Sequence, residues 1–113
     1  MVNDGHWERD GPYLRHVEEG FTLTLLVGME LEAPLDVMVE LSDGVQRFAT
    51  IFTPDSIGRI QKKDVESGEC LNGRYFWAKN IILVDTIDSS LVESIVLDLI
   101  RSGEIYHAFG TER

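Results

Sequence analysis

Hydrophobic and polar positions alternate with a period of two through the first half of this chain. Phe21, Leu23, Leu25 and Val27 share one side of a segment whose other side holds Thr22 and Thr24. That is the pattern of a half-buried strand. Leu35, Val37, Val39 and Leu41 alternate with Asp36, Met38 and Glu40 in the same way. Asp43-Gly44 follows, a dipeptide suited to a two-residue hairpin turn with positive φ at both positions. Such a turn sets Glu40 opposite Arg47, Val39 opposite Phe48, Val37 opposite Thr50 and Leu35 opposite Phe52. The apolar faces then coincide, and a slip of one residue would separate them. Ala49 and Ile51 give the second strand another apolar side, so it is expected to be central and covered on both faces.

The period then changes. Thr53-Pro54-Asp55 reads as a helix start, with Thr as N-cap, Pro in the first turn and an acid beside it. Ile57 and Ile60 would face inward, and the helix is expected to end near Lys63. Glu66 to Arg74 reads as loop, punctuated by Gly68 and Asn72-Gly73. Tyr75 to Val84 reads as extended chain, either one strand or two pieces broken near Lys79-Asn80. Ser90-Leu91-Val92-Glu93 has the form of a capping box. The helix it opens carries Leu91, Ile95 and Leu99 on one row and Val92, Val96 and Ile100 on the next. Gly103 stands where a left-handed cap is needed. Glu104 to Phe109 adds a last turn or a short edge strand.

The expected fold is therefore α+β. A mostly antiparallel sheet of four to five strands carries a short helix near 54–63 and a long C-terminal helix near 90–102. A chain of 113 residues suits a single domain. Residues 1–20, polar and punctuated by Gly5, Gly11, Pro12 and Gly20, read as an irregular arm with a short ordered piece near Tyr13-Leu14.

Charge changes the functional picture. Twenty acidic residues against ten basic ones leave a net charge of -10. Residues 1–40 carry -7, residues 41–80 carry +1 and residues 81–113 carry -4. A negative surface repels phosphate backbones and attracts basic partners, so nucleic acid is not an expected ligand. The aliphatic runs, of which Ile81 to Val84 is among the longest, fall far short of the roughly 20 residues that cross a bilayer. The N-terminal segment lacks the apolar stretch of a secretory signal, and a lone cysteine, Cys70, fits a reducing compartment. The expected setting is cytoplasmic, with no membrane association.

Candidate chemistry is sparse. His6 and His16 lie among Asp4, Glu8, Asp10, Glu18 and Glu19, but their spacing matches no recognised ligand pattern. The ordinary reading is a set of solvated polar residues, and no metal is expected. Cys70 follows Glu69, an acid that opposes thiolate formation. No phosphate loop and no nucleophile elbow occur, so no catalytic residue and no cofactor are expected. Arg74 to Lys79 mixes bases and aromatics, which reads first as a packed strand, with Tyr75 and Trp77 on one side and Phe76 on the other. Where Tyr75 and Trp77 are exposed they become anchors for a protein partner. Glu30, Glu32, Asp36 and Glu40 read first as a solvated face, and otherwise as a site for an electropositive partner.

The order of these features resembles a known family. A strand ending in Phe52-Thr53-Pro54 leads to a short helix with Ile57 and Ile60. A glycine loop, the strand Ile81-Ile82-Leu83-Val84-Asp85, Asp88 and a helix opening near Leu91 follow. Across residues 21–100 this layout is similar to bacterial immunity proteins of polymorphic toxin systems, in the group labelled Immunity protein 8. The resemblance implies a non-enzymatic inhibitor that binds a cognate toxin, with no catalytic residues. Two alternatives stay open. One is a small-molecule-binding or hydrolytic enzyme with a pocket between the hairpin and the Tyr75–Lys79 strand. The other is a subunit of a larger assembly.

Overall fold

Residues 7–18 are paired into a hairpin, which corrects the expectation of an irregular arm there; residues 1–6 of that expected arm lie outside the described residues. The computed structural model describes residues 7–28 and 31–112. In it β1 (Trp7–Asp10) and β2 (Tyr13–Glu18) run antiparallel with Asp10 opposite Tyr13. Gly11, at φ 60°, opens the two-residue turn, and Pro12 follows where no ladder N–H is needed. Arg9 fastens the tip: its Nε donates to the carbonyl of Gly11 at 2.9 Å and an Nη to the carbonyl of Gly28.

The meander continues through β3 (Phe21–Leu26), β4 (Leu35–Leu41) and β5 (Gln46–Phe52). A sixth strand, β6 (Ile81–Leu83), joins β5 in parallel, so the six-stranded sheet is mixed and ordered as the sequence. Parallel neighbours need a crossover. Here it contains α1 (Pro54–Ser67), the short α2 (Glu69–Gly73) and the irregular segment 74–80. Beyond β6 come α3 (Ser89–Ser102) and α4 (Ile105–Ala108). The chain then returns to the sheet, where Gly110 exchanges backbone hydrogen bonds of 2.7 and 3.0 Å with Phe48. The fold is α+β, as expected.

The β4–β5 register lies one residue from the expected one. Leu35 faces Ile51, Val37 faces Ala49 and Val39 faces Arg47. The cause is the turn, which uses three residues: Ser42, Asp43 and a Gly44 at φ 77°. Asp43 Oδ1 accepts the N–H of Val45 at 2.9 Å and stabilises this longer turn. Ala49 and Ile51 therefore enter the core, while Phe48 and Thr50 lie on the opposite face. Arg47 pairs with Asp43 at 3.1 Å and not with Glu40.

Each helix follows the sequence at one terminus, Thr53 for α1 and Gly103 for α3, and departs from it at the other. Thr53 caps α1 through a reciprocal pair with Ser56, but the helix runs past Lys63 to Ser67. Ile57 and Ile60 are only half-buried. At α3 the N-cap is Asp88, whose carboxylate accepts the N–H of Leu91 at 2.8 Å, in place of Ser90. Glu93 is thus not a capping residue. The Tyr75–Val84 strand shrinks to Ile81–Leu83, because Asn80 at φ 52° breaks the extended run.

One sheet face holds the core. Phe21, Leu23, Leu25, Leu35, Val37, Val39, Ala49 and Ile51 meet Val92 and Val96 of α3, together with Ile105 and Phe109. Strand alternation puts Leu14, His16 and Glu18 of β2 on this same face, since Leu14 pairs with Leu25 and His16 with Leu23.

Candidate functional site

The opposite sheet face bears what the first face does not need. Alternation places Tyr13, Arg15 and Val17 there from β2, Thr22, Thr24 and Leu26 from β3, and Asp36, Met38 and Glu40 from β4. Phe48 and Thr50 come from β5, and Ile81 and Leu83 from β6. Tyr13, Val17, Leu26, Ile81 and Leu83 are each between 41% and 62% exposed. The helical side chains of the core cluster come from α3 and α4, on the other side. Exposed apolar side chains repeated across neighbouring strands mark an interaction surface more than a solvated one.

At the centre of this face is a hollow of about 180 Å³. Tyr13, Leu26, Met38 and Phe48 supply its apolar wall, and Thr24, Thr50 and Asp36 its polar groups. Thr50 Oγ1 donates to Asp36 Oδ1 at 3.1 Å, which orients the carboxylate. Lys79 and Asn80 close one side. The Lys79 ammonium also lies 3.9 Å from a Glu112 carboxylate oxygen. The hollow is thus formed over β2 to β5, with Lys79 its one lining residue from the Tyr75–Lys79 segment among the described residues.

The residues expected to bind a partner are only partly assembled. Asp36 and Glu40 share the open face, and Asp36 lines the hollow. Glu32 is exposed in the β3–β4 connection, away from the strands. Glu30 lies outside the described residues. Tyr75 and Trp77 are 47% and 68% exposed, on a segment with no regular structure. Phe76 between them turns inward and meets Phe52 edge-on, ring centroids 5.0 Å apart. Tyr13, Leu26, Met38 and Phe48 were missed. The Gly11-Pro12 turn was the signal for the first, and the longer Asp43-Gly44 turn for the last.

A second cluster lies on the core side. His16, expected to be solvated, is 1% exposed. Its Nε2 is 3.1 Å from Glu18 Oε1 and 3.2 Å from Glu93 Oε2 of α3. The ring of Trp7 leans on the imidazole, centroids 4.8 Å apart. His6 lies outside the described residues. The two carboxylates are half-buried, with 30% and 27% of their side chains exposed.

Cys70 is half-buried, in the left-handed turn formed by Cys70, Leu71 and Asn72. Burial, then the neighbouring Asp64 carboxylate, pushes its thiol above the ordinary cysteine value. Glu69 acts in the same direction, as its place in the sequence suggested. Among the described residues no helix is long and apolar enough to cross a membrane. Compared with protein-family models, curated proteins and solved structures, the chain has no match.

Proposed function

We propose that this chain is a non-enzymatic binding protein whose open sheet face receives a basic segment of a protein partner. The hollow at the centre of that face carries the reading. Its lining offers a basic side chain Asp36 for charge-assisted hydrogen bonds and the Tyr13 and Phe48 rings for stacking with a guanidinium, while the Lys79 ammonium at one side is offset by Glu112. Met38 supplies an adaptable apolar contact. The net charge of -10 steers such a partner toward the surface from a distance. An immunity-type inhibitor of a basic toxin, acting in the cytoplasm, is the form that the sequence resemblance suggests. Inhibition would follow from covering the toxin's electropositive surface, with Tyr75 and Trp77 as outlying contacts and Glu30, Glu32 and Glu40 adding to the field. A subunit of a larger assembly would use the same face.

The hollow also favours a second reading, in which it holds a small cationic molecule. A hydrolytic reading is weaker, because Asp36 is its one lining carboxylate among the described residues. Amide NMR separates the first two. A short peptide bearing arginine and an aromatic residue is titrated into the labelled protein, beside free arginine. The binding-protein reading expects shifts at Thr24, Leu26, Met38, Phe48 and Thr50 with the peptide, fading as salt rises. Equal response to free arginine favours the small molecule. Shifts confined to α3 and α4 overturn both.

A further inference from the structure

We infer that His16, Glu18 and Glu93 form a binding site for a divalent transition-metal ion of the zinc class. The donor set comes together by the logic of the fold. His16 and Glu18 are two residues apart on β2, so both point to the core face of the sheet. Glu93 lies on the edge of α3 shared with Leu97 and Ile100, which pack against the core. Because Asp88 already caps the helix, the Glu93 carboxylate is directed to His16 and not to the helix terminus.

The imidazole Nε2 stands 3.1 and 3.2 Å from the two carboxylate oxygens, and all three donor atoms lie within 4.8 Å of one another. A tetrahedral zinc ion with ordinary bonds to nitrogen and oxygen separates its donors by roughly 3.3 Å, which the two nitrogen–oxygen distances match and to which the carboxylate oxygens would close on binding. Two half-buried carboxylates held near one imidazole repel each other. A divalent cation bound between the three groups would reverse that repulsion. One imidazole and two carboxylates suit zinc, cobalt(II) or manganese more than the thiolate-seeking metals. The Trp7 ring shields the imidazole from water. A bound ion would also tie β2 to α3, on the face opposite the hollow.

The test uses the full chain, stripped with a chelator and dialysed. Zinc chloride is titrated by calorimetry, and cobalt(II) chloride is followed by the visible absorption of a tetrahedral complex. The expected result is one ion per chain and a thermal midpoint that rises with zinc. Glu93→Gln should weaken binding by at least about tenfold, the loss that even outer-shell changes produce. This variant keeps the side-chain shape, so it remains informative where His16→Ala, at a buried position, fails to fold. Absence of binding at about 100 μM metal, far weaker than structural zinc sites, overturns the inference. So does binding that Glu93→Gln leaves unchanged, since the ion would then sit elsewhere.

Discussion

Thr50 Oγ1 donates to Asp36 Oδ1 at 3.1 Å across the β4–β5 pair, on the face of the sheet opposite α3 and α4. The bond holds an exposed carboxylate in one orientation within an apolar hollow. The proposed basic partner would gain from this arrangement, because less ordering is left to binding itself. Asp36→Asn should therefore weaken an arginine-bearing peptide by about tenfold at low salt, the usual scale of a charge-assisted bond. Thr50→Val should weaken it less, by loosening the carboxylate without removing its charge. Fluorescence anisotropy of a labelled peptide at several salt concentrations checks both. Only the Asp36 substitution should flatten the salt dependence.

Arg47 connects the hairpin turn to the C-terminal part of the chain. Its guanidinium bonds to Asp43 at 3.1 Å and lies 4.8 Å from the centre of the Tyr106 ring. The hydrogen bond from Arg47, followed by that from the Val45 N–H, holds the Asp43 carboxyl below its ordinary value. A carboxyl depressed in the folded state stabilises above its unfolded value and loses that contribution as pH falls through the folded one. The Asp43 carbon signal, followed by NMR, should titrate below the ordinary aspartate range. Arg47→Met should move it upward.

Two glycines of the crossover should respond in opposite directions to alanine. A Cβ on Gly73 would stand 2.4 Å from the carbonyl oxygen of Gln61, on a backbone at φ 78°. Gly73→Ala should cost about 1–3 kcal/mol. Gly58 lies inside α1 with nothing within 4 Å of the added carbon. Gly58→Ala should stabilise by about 0.5–1 kcal/mol. Urea unfolding of the two variants measures both.

Cys70 should be a slow thiol. Burial and Asp64 favour its protonated form, so reaction with a thiol reagent at neutral pH should lag well behind a free cysteine. Asp64→Asn should speed the reaction, as should denaturant. Stopped-flow absorbance provides the comparison.

Much of this architecture was legible where one local rule decided the outcome. The alternation of β3 and β4, the Thr53 cap and the Gly103 terminus follow from strand period, capping chemistry and backbone sterics. The failures share a different cause. At the β4–β5 turn, Asp43-Gly44 fits a two-residue and a three-residue hairpin alike, and the Asp43 bond to Val45 decides between them. That choice exchanges Phe48 for Ala49 on the core face, so the wall of the hollow was hidden by a single residue of register. Of the candidate site, Asp36 was visible from its place on the polar side of a strand. Tyr13 was marked only by the Gly11-Pro12 turn before it, because β2 gains its role by pairing with β3. The His16 cluster depends on a helix residue 77 positions further along the chain, a juxtaposition that no local pattern encodes.

The most direct measurement of the binding claim is photo-crosslinking in the native cell. A photoreactive phenylalanine analogue replaces Met38 in the hollow or, for comparison, Ser94 on the exposed side of α3. The open-face account predicts that position 38 alone captures a strongly basic protein, and that Asp36→Lys abolishes the capture. Equal capture from both positions, or an acidic partner indifferent to Asp36→Lys, would contradict it.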